Sequence, residues 1–294
     1  MTQTLPQSPA RAGTATCLAC GRAELRFRFS SERGDVYRCE SCGLFVVPEP
    51  STSEEQARRF YDTIDELTYR DYFEPMRKAH YADALARLHV QPGASLLDVG
   101  ASYGWMVQVA LAQGFDAYGI EPGNAAAPPD VAGRIERIDL EHFDAAGRRF
   151  DVITIWHALE HLRDPADAIV KMRGLLAPGG RLLVAVPNAE GTMYRLAEWM
   201  RRRLGMKALV SQLYYFHNPN MHYQYFTPAS LKTLLERCGF PSVAMYASEA
   251  IDWRRGYVRA GSAPMRAVSR VLGPVVAASR FTARENLIAV ARLT

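Results

Sequence analysis

The sequence predicts an α/β fold: a doubly wound, mostly parallel sheet of seven strands, preceded by a small metal-binding module. Three observations carry that prediction. Short apolar runs alternate with amphipathic stretches from residue 93 to about residue 187, the pattern of a parallel sheet covered on both faces. The run Leu96-Leu97-Asp98-Val99-Gly100-Ala101-Ser102-Tyr103-Gly104 reads as a buried strand ending at an acid, then a glycine-bracketed turn into a helix. Four of five cysteines fall in Cys17-x2-Cys20-x18-Cys39-x2-Cys42.

Length and composition set the bounds. At 294 residues the chain accommodates one large domain plus a small module. Hydrophobic residues at 48% and charged residues at 22% are ordinary for a globular protein. No apolar run approaches the roughly 18 residues of a membrane span. Residues 1–16 lack a charged start followed by an apolar core, so they read as a disordered tail rather than a secretory signal, and the expected compartment is the cytoplasm. The net charge of +4 does not mark a nucleic-acid binder. Basic residues concentrate late: residues 251–294 carry eight Arg against Asp252 and Glu285.

The elements follow in order. Residues 17–47 form the cysteine module, each CxxC pair followed by a glycine, Gly21 and Gly43. A tight turn of this kind aims two thiolates at one tetrahedral ion, and a segment this short needs the metal to fold. The module is therefore expected to hold a structural Zn2+ on Cys17, Cys20, Cys39 and Cys42. Two disulfides, or unpaired thiols in a loop, are the alternatives. Residues 48–92 are a linker and N-terminal helices, with an apolar period from Glu74 to Leu88. The main domain spans 93–294. Strands are expected at 95–99, 116–120, 134–138, 151–156 and 181–186, and helices at 104–113, 123–128 (short and broken by Pro128-Pro129) and 165–177. Residues 188–227 interrupt the alternation as a lid insertion, helical over 192–210 and aromatic-rich over 214–226. Thr227-Pro228 caps a helix at 228–238, and strands near 242–247 and 286–293 complete the sheet, with a basic amphipathic insertion at 250–285 between them. Cys238 ends an apolar-periodic helix and reads as a core thiol.

The ordered series of motifs resembles the class I S-adenosylmethionine-dependent methyltransferases, a Rossmann-like family, and specifically a branch with an N-terminal zinc-binding module. The turn from Leu97 to Gly104 matches its first motif, Tyr118-Gly119-Ile120-Glu121-Pro122 its second, and Arg137-Ile138-Asp139-Leu140-Glu141 its third. Phe150 through His157 fits the fourth; Leu175 through Arg181 is the turn before strand five, and His222 through Phe240 completes the series. Ser102 departs from the second glycine of many relatives. The resemblance implies a cofactor site made by Asp98, Gly100, Ser102, Gly104, Glu121, Pro122, Asp139, Leu140 and Trp156. Glu121 lies about 20 residues past the turn, where an acid accepts ribose hydroxyls; Asp139 would meet the adenine amino group. An NAD-dependent oxidoreductase is the rival on fold alone.

His157-Ala158-Leu159-Glu160-His161 has the H-x-x-E-H spacing of one zinc-protease class, but it follows strand four at the cofactor edge of the sheet instead of lying within a helix. It is also similar to the Glu-x-x-Glu-His run of ubiquinone O-methyltransferases and small-RNA 2′-O-methyltransferases. That resemblance implies a second divalent metal near Glu160, with His157, His161 and His222 at corresponding places. Histidine in place of the first Glu shifts the donor set toward Zn or Fe, or abolishes binding. The competing roles are acid–base catalysis by His157, His161 or His222 and purely structural use.

The function expected is methyl transfer from S-adenosylmethionine to O or C of a small-molecule acceptor: a sugar nucleotide, a glycan or polyketide intermediate, or a quinone-like phenol. An RNA methyltransferase that uses the zinc module as a clamp, and a non-catalytic cofactor-binding protein, are the alternatives. Arg201-Arg202-Arg203 and the 263–281 segment read as solvated faces; contact with a peripheral membrane or lipid-linked substrate, or with RNA, is the other reading. The sequence leaves the acceptor and the oligomeric state open.

Overall fold

The computed structural model describes residues 16–31, 34–48, 66–205, 222–248 and 284–293. The expected N-terminal tail, most of the 250–285 insertion and the lid aromatics Tyr214, Tyr215 and Phe216 lie outside the described residues. Strands β1 (Leu25–Ser31), β2 (Gly34–Cys39) and β3 (Phe45–Val46) belong to the cysteine module. Helix α1 (Glu66–Ala86) precedes β4 (Ser95–Val99), α2 (Trp105–Ala112), β5 (Asp116–Ile120), β6 (Ile135–Glu136) and β7 (Phe150–Trp156). Then come α3 (Pro165–Leu175), β8 (Leu176–Pro187), α4 (Thr192–Leu204), β9 (Gln224–Tyr225), α5 (Pro228–Arg237), β10 (Ser242–Ser248) and β11 (Asn286–Arg292).

The large sheet has seven strands in the order β10-β11-β8-β7-β4-β5-β6. The pairs β6–β5, β5–β4, β4–β7 and β7–β8 are parallel, while β11 runs antiparallel to both β8 and β10. Side chains alternate between two covered faces. Leu97, Val99, Ile153, Ile155, Leu182 and Val184 point to the layer of α3 and α5. Leu96, Val152, Trp156, Leu183 and Ala185 point to the layer of α1 and α2. Burial on both faces is why these strands read as apolar runs rather than period-two patterns.

Local signals set the helix starts. Asp164 accepts hydrogen bonds from the Ala166 and Asp167 amides, and Pro165 opens α3 where no amide partner is needed. Thr227 and Ser230 form a reciprocal capping box at α5, with Pro228 at its first position.

Two expectations need correction. No helix forms at 123–128: the chain there is irregular, with a bend at Gly123, and the next helical turn is a 3-10 turn at Ala132–Arg134. Pro128 and Pro129 supply no amides for a helix, and Glu121 and Arg137 take up the backbone groups of Gly123. The strand expected at 134–138 shrinks to two residues, because Ile138 turns back to bond the Glu136 carbonyl.

The small sheet joins the two parts of the chain. Its order is β1-β2-β3-β9, so its fourth strand comes from the segment expected to be a lid. Phe45 pairs with Tyr225 and Val46 with Gln224. Further bonds continue the junction: the Val47 amide to the Tyr223 carbonyl, the Thr227 hydroxyl to the Cys42 carbonyl, and Arg237 to the Leu18 carbonyl. Among the described residues no helix is long and apolar enough to cross a membrane.

Candidate active site

The turn after β4 is built from left-handed backbone. Gly100 and Gly104 have φ of 76° and 75°, and Ser102 sits between them at 47°. A Cβ on Gly100 would come within 2.8 Å of the Ala158 methyl, and one on Gly119 within 2.6 Å of the Ala101 methyl. The glycines thus let the turn lie against β5 and the segment after β7, a cradle that side chains would fill. Glu121, at the end of β5, closes it: its carboxylate accepts the Ser102 amide at 2.8 Å and the Gly123 amide at 2.7 Å. A carboxylate has four lone-pair sites, so capacity remains for two further donors. Pro122 beside it is exposed.

Asp98 lies beneath the turn, 3% exposed, and accepts a 2.6 Å hydrogen bond from the Thr154 hydroxyl. Burial, with Glu121 adding to it, raises its carboxyl to about 7 against the pull of Thr154. Trp156 packs into the α1–α2 layer, edge-on to Tyr81 at 4.9 Å, with its indole N–H buried and unpartnered. Asp139 lies beyond β6 and binds the His142 amide and ring; Leu140 packs beside it on the α3–α5 side of the sheet.

The four cysteines converge. Their sulfurs all lie within 4.8 Å of one another, with Cys17–Cys42 and Cys20–Cys39 each 3.6 Å apart. A tetrahedral ion with Zn–S of ~2.3 Å places sulfurs ~3.8 Å apart, so the set fits such an ion, whereas a disulfide needs ~2.05 Å. The four thiols are free. Gly21 and Gly43 take φ of 76° and 80° and return their amides to the Cys17 and Cys39 carbonyls, which makes the two knuckle turns. The Cys42 thiol bonds Cys17, pulling Cys17 down to about 5 and pushing Cys42 up.

A second cluster gathers at the C-terminal edge of β7. His157 has φ of 52°, and its ring Nδ1 lies 3.4 Å from Glu160. Glu160 is 1% exposed, and neither of its carboxylate oxygens has a hydrogen-bond partner among the described residues. His222 reaches it at 4.0 Å, and its ring stands edge-to-face on His161 at 4.7 Å. Donor atoms of Glu160, His161 and His222 lie within 4.8 Å of one another. Burial would push Glu160 up, but His157 and the other imidazoles outweigh it and hold the carboxyl down at about 2. Burial and His161 push His222 down to about 3, and burial followed by Arg77 lowers His157. At neutral pH Glu160 is anionic, beside the neutral rings of His157 and His222.

The family described as a methyltransferase domain matches residues 72–244, more than half of the chain. The chain belongs to this family. Its sheet order and glycine turn are those of the class I S-adenosylmethionine-dependent methyltransferase family, and it carries an N-terminal four-cysteine cluster. The methyltransferase is similar to the ubiquinone biosynthesis O-methyltransferase of Alkalilimnicola ehrlichii, 27% identical over 158 residues that cover 51% of this chain and 63% of that one. A protein of the same description from Pseudomonas paraeruginosa is 28% identical, over 49% of this chain and 64% of its own. The match thus spans less than two thirds of these relatives. Among solved structures, a Burkholderia thailandensis 1,6-didemethyltoxoflavin-N1-methyltransferase with bound S-adenosylhomocysteine has a TM-score of 0.52 at 16% identity, covering 91% of this chain and 99% of that one. A Mycobacterium tuberculosis cyclopropane synthase has a TM-score of 0.53 at 17% identity, covering 82% and 98%.

Sequence reasoning missed Thr154, the partner of Asp98 in the methyltransferase. Its signal was present: one hydroxyl inside the apolar run Val152-Ile153-Thr154-Ile155. Of the aromatic residues in the expected lid, Tyr225 and Phe226 are buried at 3% and 0% and serve the junction with the cysteine module. Tyr223 is half-buried under the Arg163 guanidinium.

Proposed function

We propose that this methyltransferase transfers the methyl group of S-adenosylmethionine to a hydroxyl oxygen of a small acceptor, a quinone-like phenol or a sugar. The observation that carries the reading is the placement of His161 and His222 around a buried Glu160, directly after the strand whose partner β4 bears the glycine turn. The O-methyltransferase description of the curated relatives supports the choice of oxygen.

The donor supplies an electrophilic methyl on a positively charged sulfur. In the proposed site Glu121 accepts the ribose hydroxyls, the 100–104 turn admits the amino-acid portion at close range, and Asp98 orients that turn. The acceptor oxygen displaces the sulfur in line: an O–C bond forms, the S–C bond breaks, and the hydroxyl proton passes to the imidazole of His161 or His222. Ionised Glu160 stabilises the imidazolium that results. Alignment of the two reactants supplies much of the rate. The four cysteines hold a structural Zn2+ in this reading, and with every ligand from protein they leave no position for catalysis.

The orphaned carboxylate of Glu160 favours a second reading. Glu160, His161 and His222 would hold a divalent cation, which would supply Lewis acidity to an acceptor oxygen. Mixed oxygen and nitrogen donors suit Zn or Fe over Mg.

Calorimetry and turnover test these assignments. Glu121→Ala should weaken S-adenosylhomocysteine binding at least tenfold; unchanged affinity would exclude the ribose role. His161→Ala and His222→Ala should each lower kcat on a phenolic acceptor by about 10²-fold or more with cofactor affinity intact. Full activity in both would remove the histidine mechanism. Activity of the wild type that falls with chelator and returns with added Zn2+ or Fe2+, while the four-cysteine metal stays bound, would select the cation reading.

A further inference from the structure

On the far side of the β3–β9 junction an open cleft of about 660 Å³ lies between the small sheet and α4, away from the glycine turn. Its volume falls in the range of small-molecule sites. Its charge is unbalanced: Arg28, Arg38, Arg195, Arg202 and Arg203 line it against Glu190 and Glu198. Glu198 is already held by Arg201 and Arg202 at 2.7 Å. Arg28, Arg38, Arg195 and Arg203 make no ion pair with a carboxylate among the described residues.

Two of these positions are set by the fold rather than by chance exposure. Arg28 is the extra residue where the β1–β2 register shifts between Phe27 and Phe29, and such a bulge re-aims a side chain out of its strand's alternation. Arg38 lies over the Phe45 ring at 5.6 Å, and that ring forms part of the cleft wall. Trp199 of α4 also lines the cleft and is 54% exposed. Guanidinium forks match phosphate oxygens two at a time, and the Phe45 ring beneath Arg38 steadies one such fork.

We propose that this cleft binds the phosphate or diphosphate group of a small-molecule acceptor, with Arg28, Arg38, Arg195 and Arg203 on the phosphoryl oxygens and Trp199 against the adjoining part of the ligand. Phe45 on its wall pairs directly with Tyr225, whose ring is 5.3 Å from that of His222. The small sheet therefore separates the cleft from the histidine cluster by one pair of residues, and Ala189, also in the wall, bonds Phe226 on the same strand segment. An acceptor anchored by its anionic group in the cleft extends over this edge toward His222. That link to the reaction rests on the proposed methyl transfer; the anion site itself does not.

The experiment uses the full chain and inorganic pyrophosphate, followed by calorimetry at low salt. Pyrophosphate should bind, and Arg28→Ala combined with Arg195→Ala should weaken it by about tenfold or more. S-adenosylhomocysteine affinity should be the same in both proteins, which shows the variant folded and tests the donor site separately. No binding of pyrophosphate to the wild type, or equal binding to the variant, overturns the proposal. Vesicles of phosphatidylglycerol provide the other arm. Vesicle binding that the double variant loses, without any pyrophosphate binding, would make the cleft a lipid surface and also overturn it.

Discussion

Asp98 and Ser102 show how single residues in the glycine turn trade stability for a site. Asp98 is buried and titrates near 7, well above its unfolded value of about 3.9. Below pH 4 both states carry the proton, and the site costs nothing extra. Between pH 4 and 7 the unfolded chain releases it while the folded protein keeps it, so stability falls as pH rises. Asp98→Asn keeps the acceptor for Thr154 and removes the titration. The variant should be more stable than wild type at pH 7.5, by about 1–3 kcal/mol, and equal near pH 4, with weaker donor binding. Denaturant melts at the two pH values check the sign; a variant less stable at both would show that Asp98 is not held protonated. Ser102 adds a smaller cost. Its φ of 47° lies in the region that disfavours a Cβ, so Ser102→Gly should stabilise the fold by about 0.5–1 kcal/mol.

At the scale of elements, legibility followed the range over which each signal acts. The strands at Ser95–Val99, Asp116–Ile120 and Phe150–Trp156 were readable because apolar runs buried on both faces are local facts of the chain. The α5 start was readable because Thr227-Pro228 carries its own cap. The broken helix after Glu121 was misread because Pro128-Pro129 ended it before it could begin, and Glu121 claimed the Gly123 amide. The cysteine cluster and the His157–His161 run were visible as spacing. What no spacing revealed is β9: two residues, Gln224 and Tyr225, pair with Phe45 and Val46 from the far end of the chain. That pairing ties the cysteine module to the proposed site, because the segment it holds also carries His222 and donates the Tyr223 amide to the Glu160 carbonyl. Cys39→Ser, which removes one ligand of the cluster, should therefore raise KM for the acceptor and lower kcat while S-adenosylhomocysteine affinity changes little. Donor binding lost in parallel would mean that the whole domain had unfolded.

At the scale of the molecule, the module is not an appended bead. Cys17, Cys39, Leu44 and Val46 share one continuous core with Phe226, Leu231, Leu234 and Leu235 of the α5 region and with Ile153 and Leu182 of the large sheet. A second patch joins Val36 and Val47 to Ala189, Tyr194 and Tyr225. Surfaces buried together unfold together, so in the proposed zinc reading a metal on the four cysteines would contribute to the stability of the whole shared core instead of a local knot. A strong chelator under reducing conditions should lower the melting temperature of the single main transition, by roughly 5–10 °C at a cost of about 3 kcal/mol for a domain this size. Circular dichroism at a wavelength dominated by the large sheet and helices checks this, since the module contributes little there. If the main transition stays in place and only a small early step appears on chelation, the module melts alone and the junction at β3–β9 carries no coupling. Restored zinc should return the transition, because the Gly21 and Gly43 turns already aim the four thiols at one point and the rest of the core is in place to receive them.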